Sequence, residues 1–285
     1  MPEPLDDQSW DVLLHRISGQ GVTPFIGAGI SPHPQAGAIA QGWASEYHLP
    51  DVIDTTDLAR VAQYLSVYQD GMWPKDLLLS RFAATPPPDF ADRYEPHGLL
   101  ADIPCELYIT TNYDRFMCDA LQSRNRDPLR LSCRWNDSLA KSTHHKPPSI
   151  PNPWVFHLHG SDDEPQSMVL TEDDYVDFLV RSQRDQKLIP HQVVRALSHT
   201  SLLFVGYSMT DWTFRVLFRG IVCSLPNSLQ QWHVAVQLPR GATEEAYLTK
   251  YFADKKVRVF WGDAKEFVTE FRQRWEAYSA QPAAG

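Results

Sequence analysis

The chain has only four cysteines in 285 residues, Cys105, Cys118, Cys133 and Cys223, and they form no CxxC pair. That spacing leaves no zinc module and little for a disulfide framework, so the thiols read as buried or half-buried and free. His144 and His145 lie in a proline-rich stretch without a neighbouring acid or thiol pattern, which argues against a metal there. HExxH, GxSxG and the Walker lysine are missing, so the motif-bearing metalloproteases, serine hydrolases and P-loop enzymes are set aside. No apolar run approaches the roughly 20 residues that cross a bilayer. The amino terminus carries Glu3, Asp6 and Asp7 instead of a basic segment followed by an apolar run. No secretory leader is therefore expected, and the cytoplasm is the expected compartment. Positive charge is also scarce: 26 basic against 35 acidic residues give a formal charge of −9. This disfavours nonspecific binding to nucleic acid or to anionic membranes.

With 43% hydrophobic and 21% charged residues, the chain can bury one large core or two modest ones. Trp10, Leu13, Leu14 and Ile17 predict a helix over residues 8–19, ended by Gly19 and Gly21 before a first strand containing Val22, Phe25 and Ile26. Further helices are expected at Ala36 to Tyr47, around Leu58 to Tyr68, and from Pro74 through Phe82. Residues 36–100 are thus a helical insertion or subdomain between the first two core strands. Later strands are predicted at Leu107 to Thr110, Trp154 to His157, Ser201 to Val205, His233 to Leu238 and Val257 to Phe260. Leu129 to Trp135 is a further short candidate outside that count. Thr171 and Asp174 have the spacing of a capping box for the helix that follows. The alternation predicts a single α/β domain over 1–285, Rossmann-like and doubly wound, with a mostly parallel sheet of about six strands.

Four polar clusters fall at predicted strand ends, where ligands bind in such sheets. They are Gly27-Ala28-Gly29-Ile30-Ser31, Thr111-Asn112-Tyr113-Asp114, His157-Leu158-His159-Gly160-Ser161, and Gly206-Tyr207-Ser208 with Asp211. Gly27 and Gly29 are expected to allow positive φ and to admit a phosphate close to the backbone; a tight turn is the plainer alternative. Asn112 either caps the next helix or holds a water or ribose hydroxyl beside a reacting carbon. Asp114 is equally a first-turn carboxylate favoured by the helix dipole. Ser208 and Asp211 either cap a helix or meet phosphate or ribose. A histidine such as His159 at a strand end can accept a proton from a sugar hydroxyl or water. Strict alternation places His157 on the same face, so spacing does not choose between the two.

In this order the clusters resemble the sirtuin-like (Sir2-like) superfamily, over a span from Phe25 to the Asp211 turn and onward. Gly27 to Ser31 is similar to that family's phosphate loop, Thr111-Asn112-Tyr113-Asp114 to its TQNID element, His159-Gly160 to its catalytic histidine, and Gly206-Tyr207-Ser208 to its GTS turn. The resemblance implies that Asn112 orients the water or ribose, that His159 is the base, and that Asp114 meets the nicotinamide carboxamide. It also implies that Ser31 and Ser208 contact the pyrophosphate or adenosine ribose, and Asp211 a ribose hydroxyl. Two departures bear on the substrate. The four-cysteine zinc module of the protein deacylases is absent, and Pro32-His33-Pro34-Gln35-Ala36-Gly37 replaces their segment ending in PDFR. With these departures the chain resembles the branch found in bacterial antiphage defence, which implies hydrolysis of NAD+ to nicotinamide and ADP-ribose without a metal. The same resemblance implies gating by a separate protein, such as a HerA-type ATPase, a short Argonaute or an inosine-triphosphatase-like nucleotide sensor, or by homo-oligomerisation. The alternatives are an NAD-dependent protein deacylase and a non-catalytic module that senses NAD+ or ADP-ribose.

Overall fold

The computed structural model describes residues 5–136, 145–185, 187–208, 215, 218–222 and 231–280. Helix α1 (Asp7–Ser18) starts on Asp6, whose carboxylate accepts the Ser9 amide, and buries Trp10, Leu13, Leu14 and Ile17. Its apolar stripe covers one face of a single sheet built from β1 (Val22–Ile26), β2 (Leu107–Thr110), β3 (Leu129–Ser132), β4 (Trp154–His157), β5 (Ser201–Val205), β6 (His233–Gln237) and β7 (Val257–Trp261). The strand order is β3-β4-β2-β1-β5-β6-β7, and every neighbouring pair is parallel.

The sheet therefore has seven strands where six were expected. The addition is β3, an edge strand that pairs only with β4 and is exposed or half-buried along its length. Its Leu-Arg-Leu-Ser sequence lacks the continuous apolar character of strands covered on both faces. In β1, Val22 and Ile26 point into the core shared with Trp10 and the last helix, while Phe25 points into the opposite core with Phe156 and Phe204. Pro24 has no amide to give, and β1 pairs with β2 only from Phe25 onward.

After β1 come α2 (Ala36–Glu46), α3 (Leu58–Tyr68), α4 (Trp73–Ala83) and α5 (Pro96–Asp102). The first three share a small core of Ile39, Trp43, Val61, Leu65 and Leu78, which closes on Met168 and Leu170 from the loop beyond β4. Helix α5 instead packs on α6 (Phe116–Ser123) within the main core. Helices α7 (Glu172–Arg184) and α8 (His191–His199), with Ala242–Ala253, cover the Phe25 face; Ala264–Ser279 lies with α1. Among the described residues no helix is long and apolar enough to cross a membrane.

The chain adds β2, β3 and β4 to one side of β1 and then returns to place β5 on its other side. Successive crossovers thus diverge at β1, and a crevice opens beyond its carboxyl end.

Candidate active site

The loops leaving β1, β2, β4 and β5 line one cavity of about 570 Å³, within the roughly 300–1,000 Å³ usual for small-molecule sites. Ala28, Gly29 and Ser31 come from the first loop, Thr111, Asn112 and Asp114 from the second, His159 from the third, and Gly206 and Ser208 from the fourth. Gly27 stands behind the wall, and Asp211 lies outside the described residues.

The glycines serve loop packing. Gly27 does not adopt positive φ (its φ is −118°), and among the described glycines Gly160 and Gly206 do. A Cβ at Gly27 or Gly29 would sit 2.6 or 2.9 Å from the Gly206 carbonyl oxygen, and Gly206 has φ +84°. The Gly27 amide donates to Val205 O at 2.8 Å and the Gly29 amide to Gly206 O at 2.9 Å. The expected phosphate cradle is thus partly spent on joining two loops. The open donors lie farther on, at the start of α2. Gln35 gives that helix no side-chain cap, and Gln35, Ala36 and Gly37 line the cavity. First-turn amides without intrahelical partners form an anion site. No lysine or arginine lines the cavity among the described residues.

Asn112 is buried, and its Nδ2 donates to Gly27 O at 3.2 Å. Its Oδ1 is buried without a hydrogen-bond partner among the described residues. An orphan acceptor of this kind costs about 1–3 kcal/mol; the amide is anchored through Nδ2 while its Oδ1 is left unused. Asp114 accepts Ser31 Oγ–H at 2.8 Å on Oδ2 and the Phe116 amide at 3.0 Å on Oδ1. It therefore holds the first amide of α6 and also ties the β1 loop to the β2 loop.

The two histidines separate because β4 ends at His157 and the chain turns before His159. Arg130 Nε donates to His157 Nε2 at 3.1 Å, which leaves the proton on Nδ1, and that N–H donates to Asn112 O at 2.8 Å. Burial, followed by the charge of Arg130, pushes His157 down to about 4. His157 is a strut beneath Asn112. His159 lines the cavity, meeting Tyr175 and Phe178 edge-on at 5.4 and 5.2 Å. Burial alone pushes it down to about 3, so at neutral pH it is an uncharged acceptor. The same-face expectation for the pair fails because strand alternation stops one residue too early.

Several wall residues were given no role of their own from sequence. The Tyr207 hydroxyl donates to Ile26 O at 2.9 Å and bonds Thr111 Oγ1 at 2.8 Å. Asp54, Thr56 and Asp57 reach the cavity from the start of α3. His33 lines it too, stacked on Phe82 with ring centroids 3.9 Å apart. The sequence signal for His33 was its place between two prolines just after the glycine loop. Cys105, Cys118 and Cys133 are buried free thiols that burial pushes up to about 12. Among the described residues no group of three or more histidine, cysteine or carboxylate side chains is arranged to hold a metal ion.

Comparison with known proteins adds a family to this geometry. The chain is 24% identical over 248 residues to the NAD(+) hydrolase ThsA of Bacillus cereus (strain MSX-D12), covering 85% of this chain and 48% of that protein. It is 27% identical over 198 residues to the Enterococcus faecium protein of the same name, covering 66% and 37%. With the Cytobacillus dafuensis protein of that name it shares 28% over 206 residues, covering 70% and 37%. The chain thus spans about half the length, or less, of these curated relatives. A solved chain from a study of the mechanism and regulation of Sir2 enzymes overlays with a TM-score of 0.49 at 12% identity, covering 97% of this chain and 100% of that one. The model of the SIR2-like domain matches residues 106–260. That match takes in more than half of the sequence, from β2 through β7, and the chain belongs to the SIR2-like domain family.

Proposed function

We propose that this chain hydrolyses NAD+ to nicotinamide and ADP-ribose, with Asn112 and His159 as its catalytic residues. The observation that carries the reading is the single cavity whose wall contains the orphan Asn112 acceptor, the neutral His159 and the uncapped start of α2. The ThsA relatives, by their names, act on the same substrate. In this reading the pyrophosphate meets the α2 amides with Ser31 and Ser208, while Ala28, Gly29, Thr111 and Gly206 shape the wall around the dinucleotide. Gly27 holds that wall from behind.

The bond between ribose C1′ and the pyridinium nitrogen breaks, and its electron pair leaves with nicotinamide, which departs neutral. Asn112 Oδ1 accepts from the attacking water or a ribose hydroxyl. The water oxygen bonds to C1′, and His159 takes its surplus proton and passes it to solvent. A base of low pKa suffices, because water adding to an oxocarbenium-like carbon becomes strongly acidic. The carboxylates of Asp54, Asp57 and Asp114 on the wall suit the cationic pyridinium ring of the substrate and an oxocarbenium-like transition state.

Unchecked NAD+ hydrolysis would kill the host cell, so activity is gated by a separate activating protein or by self-assembly, in the cytoplasm and in the service of antiviral defence. Chromatography of NAD+, nicotinamide and ADP-ribose, with a candidate activating protein present, tests the reaction. Asn112→Ala and His159→Ala are each expected to lower nicotinamide release at least about a hundredfold while the thermal midpoint stays near wild type. A folded double variant that still releases nicotinamide would reject the assignment.

A further inference from the structure

The edge strand β3 contributes nothing to the cavity wall, yet one of its faces is bonded to the loops that carry Asn112 and His159. In register, Arg130 stands opposite Val155 and Ser132 opposite His157, so alternation puts both side chains on the face that His157 uses. Ser132 Oγ bonds Ser161 Oγ at 2.5 Å, and Arg134, just past the strand end, holds Glu164 at 2.5 Å. Arg130 reaches further. Its Nε donates to His157 Nε2 at 3.1 Å, and its Nη2 donates to Tyr113 O at 2.7 Å and to Asp162 Oδ1 at 2.6 Å. Nη1 lies 3.4 Å from Asp163 Oδ2.

These partners come from three places. His157 ends β4, Tyr113 directly follows Asn112 in the loop after β2, and Asp162 lies three residues beyond His159 in the loop after β4. Tyr113 O also accepts the Asp162 amide at 3.0 Å. That carbonyl is the junction of the two loops, and the guanidinium closes it from the β3 side. The preceding carbonyl, Asn112 O, accepts from His157 Nδ1–H at 2.8 Å, and His157 is itself held by Arg130. One side chain thus fixes two successive carbonyls, one directly and one through a ring. Its planar fork is needed for this, since Nε and Nη2 donate in different, rigidly related directions; a lysine would keep the charge beside Asp162 and Asp163 but has a single nitrogen. The Arg130 side chain is 17% exposed and off the cavity wall, so it acts on the reaction only through the groups it holds.

We infer that Arg130 is a positioning residue for the hydrolysis: it sets Asn112 against His159 by locking the loops after β2 and β4 together, without touching the substrate. This rests on the NAD+ reading above and deepens it, because the geometry of the reaction centre is then set from an edge strand outside the cavity.

The test compares Arg130→Lys with Arg134→Met, each in the full chain with a candidate activating protein present. Arg134→Met is the control, because it breaks a pair to the same loop but its bonds go to Glu164 and not to Tyr113, His157 or Asp162. A displacement of reacting groups by about 1 Å costs about a hundredfold in rate, so partial loosening in Arg130→Lys is expected to lower kcat for nicotinamide release at least about tenfold. KM for NAD+ is expected to stay within about twofold, the pattern of an interaction that matters only in the transition state. Hydrogen exchange is expected to quicken together at residues 112–114 and 159–162. Arg134→Met is expected to leave kcat and the exchange at residues 112–114 unchanged. If Arg130→Lys keeps its kcat, or loses kcat and affinity for NAD+ together, or if Arg134→Met loses as much kcat, the guanidinium is a structural tie alone. The assignment is then overturned while the NAD+ reading stands. A wild type that releases no nicotinamide beside the activating protein overturns both.

Discussion

Imidazoles kept neutral by burial make stability depend on pH, and His157 and His159 carry this effect most strongly. Folded, they take up protons only near about 4 and about 3, against 6.5 for the unperturbed ring. Below about pH 6.5 the unfolded chain therefore binds more protons than the native one, and stability falls as pH falls. Above that value the pair contributes no slope. Each histidine adds about 1.4 kcal/mol per pH unit between its unfolded and folded values. Urea unfolding at about pH 7.5 and about pH 5 checks this, and His159→Phe is expected to remove its share of the slope while leaving that of His157. An unchanged slope in the variant would mean that His159 titrates normally in the native state. At this scale the sequence was readable where chemistry is local. Asn112 and His159 stood out because an amide and an imidazole at strand ends are unusual in polarity. The division of labour between His157 and His159 was not readable, because it depends on Arg130, 27 residues from His157 along the chain.

The roof of the cavity is held by the first turn of α7. Three consecutive acids there each reach a different side chain on α3 or α4: Glu172 to Arg60 at 3.2 Å, Asp173 to Gln63 at 2.8 Å, and Asp174 to Lys75 at 3.1 Å. The capping box of Thr171 and Asp174 is present as expected, and local spacing was enough to find it. The second duty of Asp174 was hidden, since Lys75 is 99 positions away and a lysine in an amphipathic helix reads as solvated. Burial ranks the three contacts. The Lys75 and Asp174 side chains are 6% and 15% exposed, whereas Arg60 and Glu172 are 49% and 40% exposed. Removing one partner of a buried pair strands the other charge and costs about 3–5 kcal/mol, while an exposed pair contributes about 0–1 kcal/mol. Lys75→Met is therefore expected to lower the urea midpoint sharply, and Arg60→Ala to leave it almost unchanged. Because Leu78 and Phe82 of α4 line the cavity beside Asp54, Thr56 and Asp57 from the segment leading into α3, Lys75→Met should weaken dinucleotide binding as well. Equal effects from the two variants would show that the roof is not held at Lys75.

A parallel sheet sends the carboxyl ends of all its strands to one edge, which is why four motifs scattered over about 180 positions were readable as neighbours before any coordinates. Which of them meet is set by strand order, and no local sequence signal encodes that order. The order found here puts β5 beside β1, so Gly206 packs on Gly27 although 179 positions lie between them. A dinucleotide in this crevice would bridge halves of the sheet that the chain builds at different times, and the consequence is measurable on the whole molecule. At a hundredfold excess over Kd, a ligand that binds only the native state adds about 2.7 kcal/mol. For a chain of this size that is a rise of about 4–5 °C in thermal midpoint. In the Asn112→Ala protein, NAD+ and ADP-ribose are both expected to give this rise. Nicotinamide is expected to give much less, because it cannot reach from Asp114 to the start of α2. Hydrogen exchange should then slow together at residues 35–38, at the start of α2 after β1, and at residues 206–208, after β5. Protection confined to one of these loops would mean that the ligand does not bridge the crevice, and the dinucleotide reading would fail at the level of the whole fold.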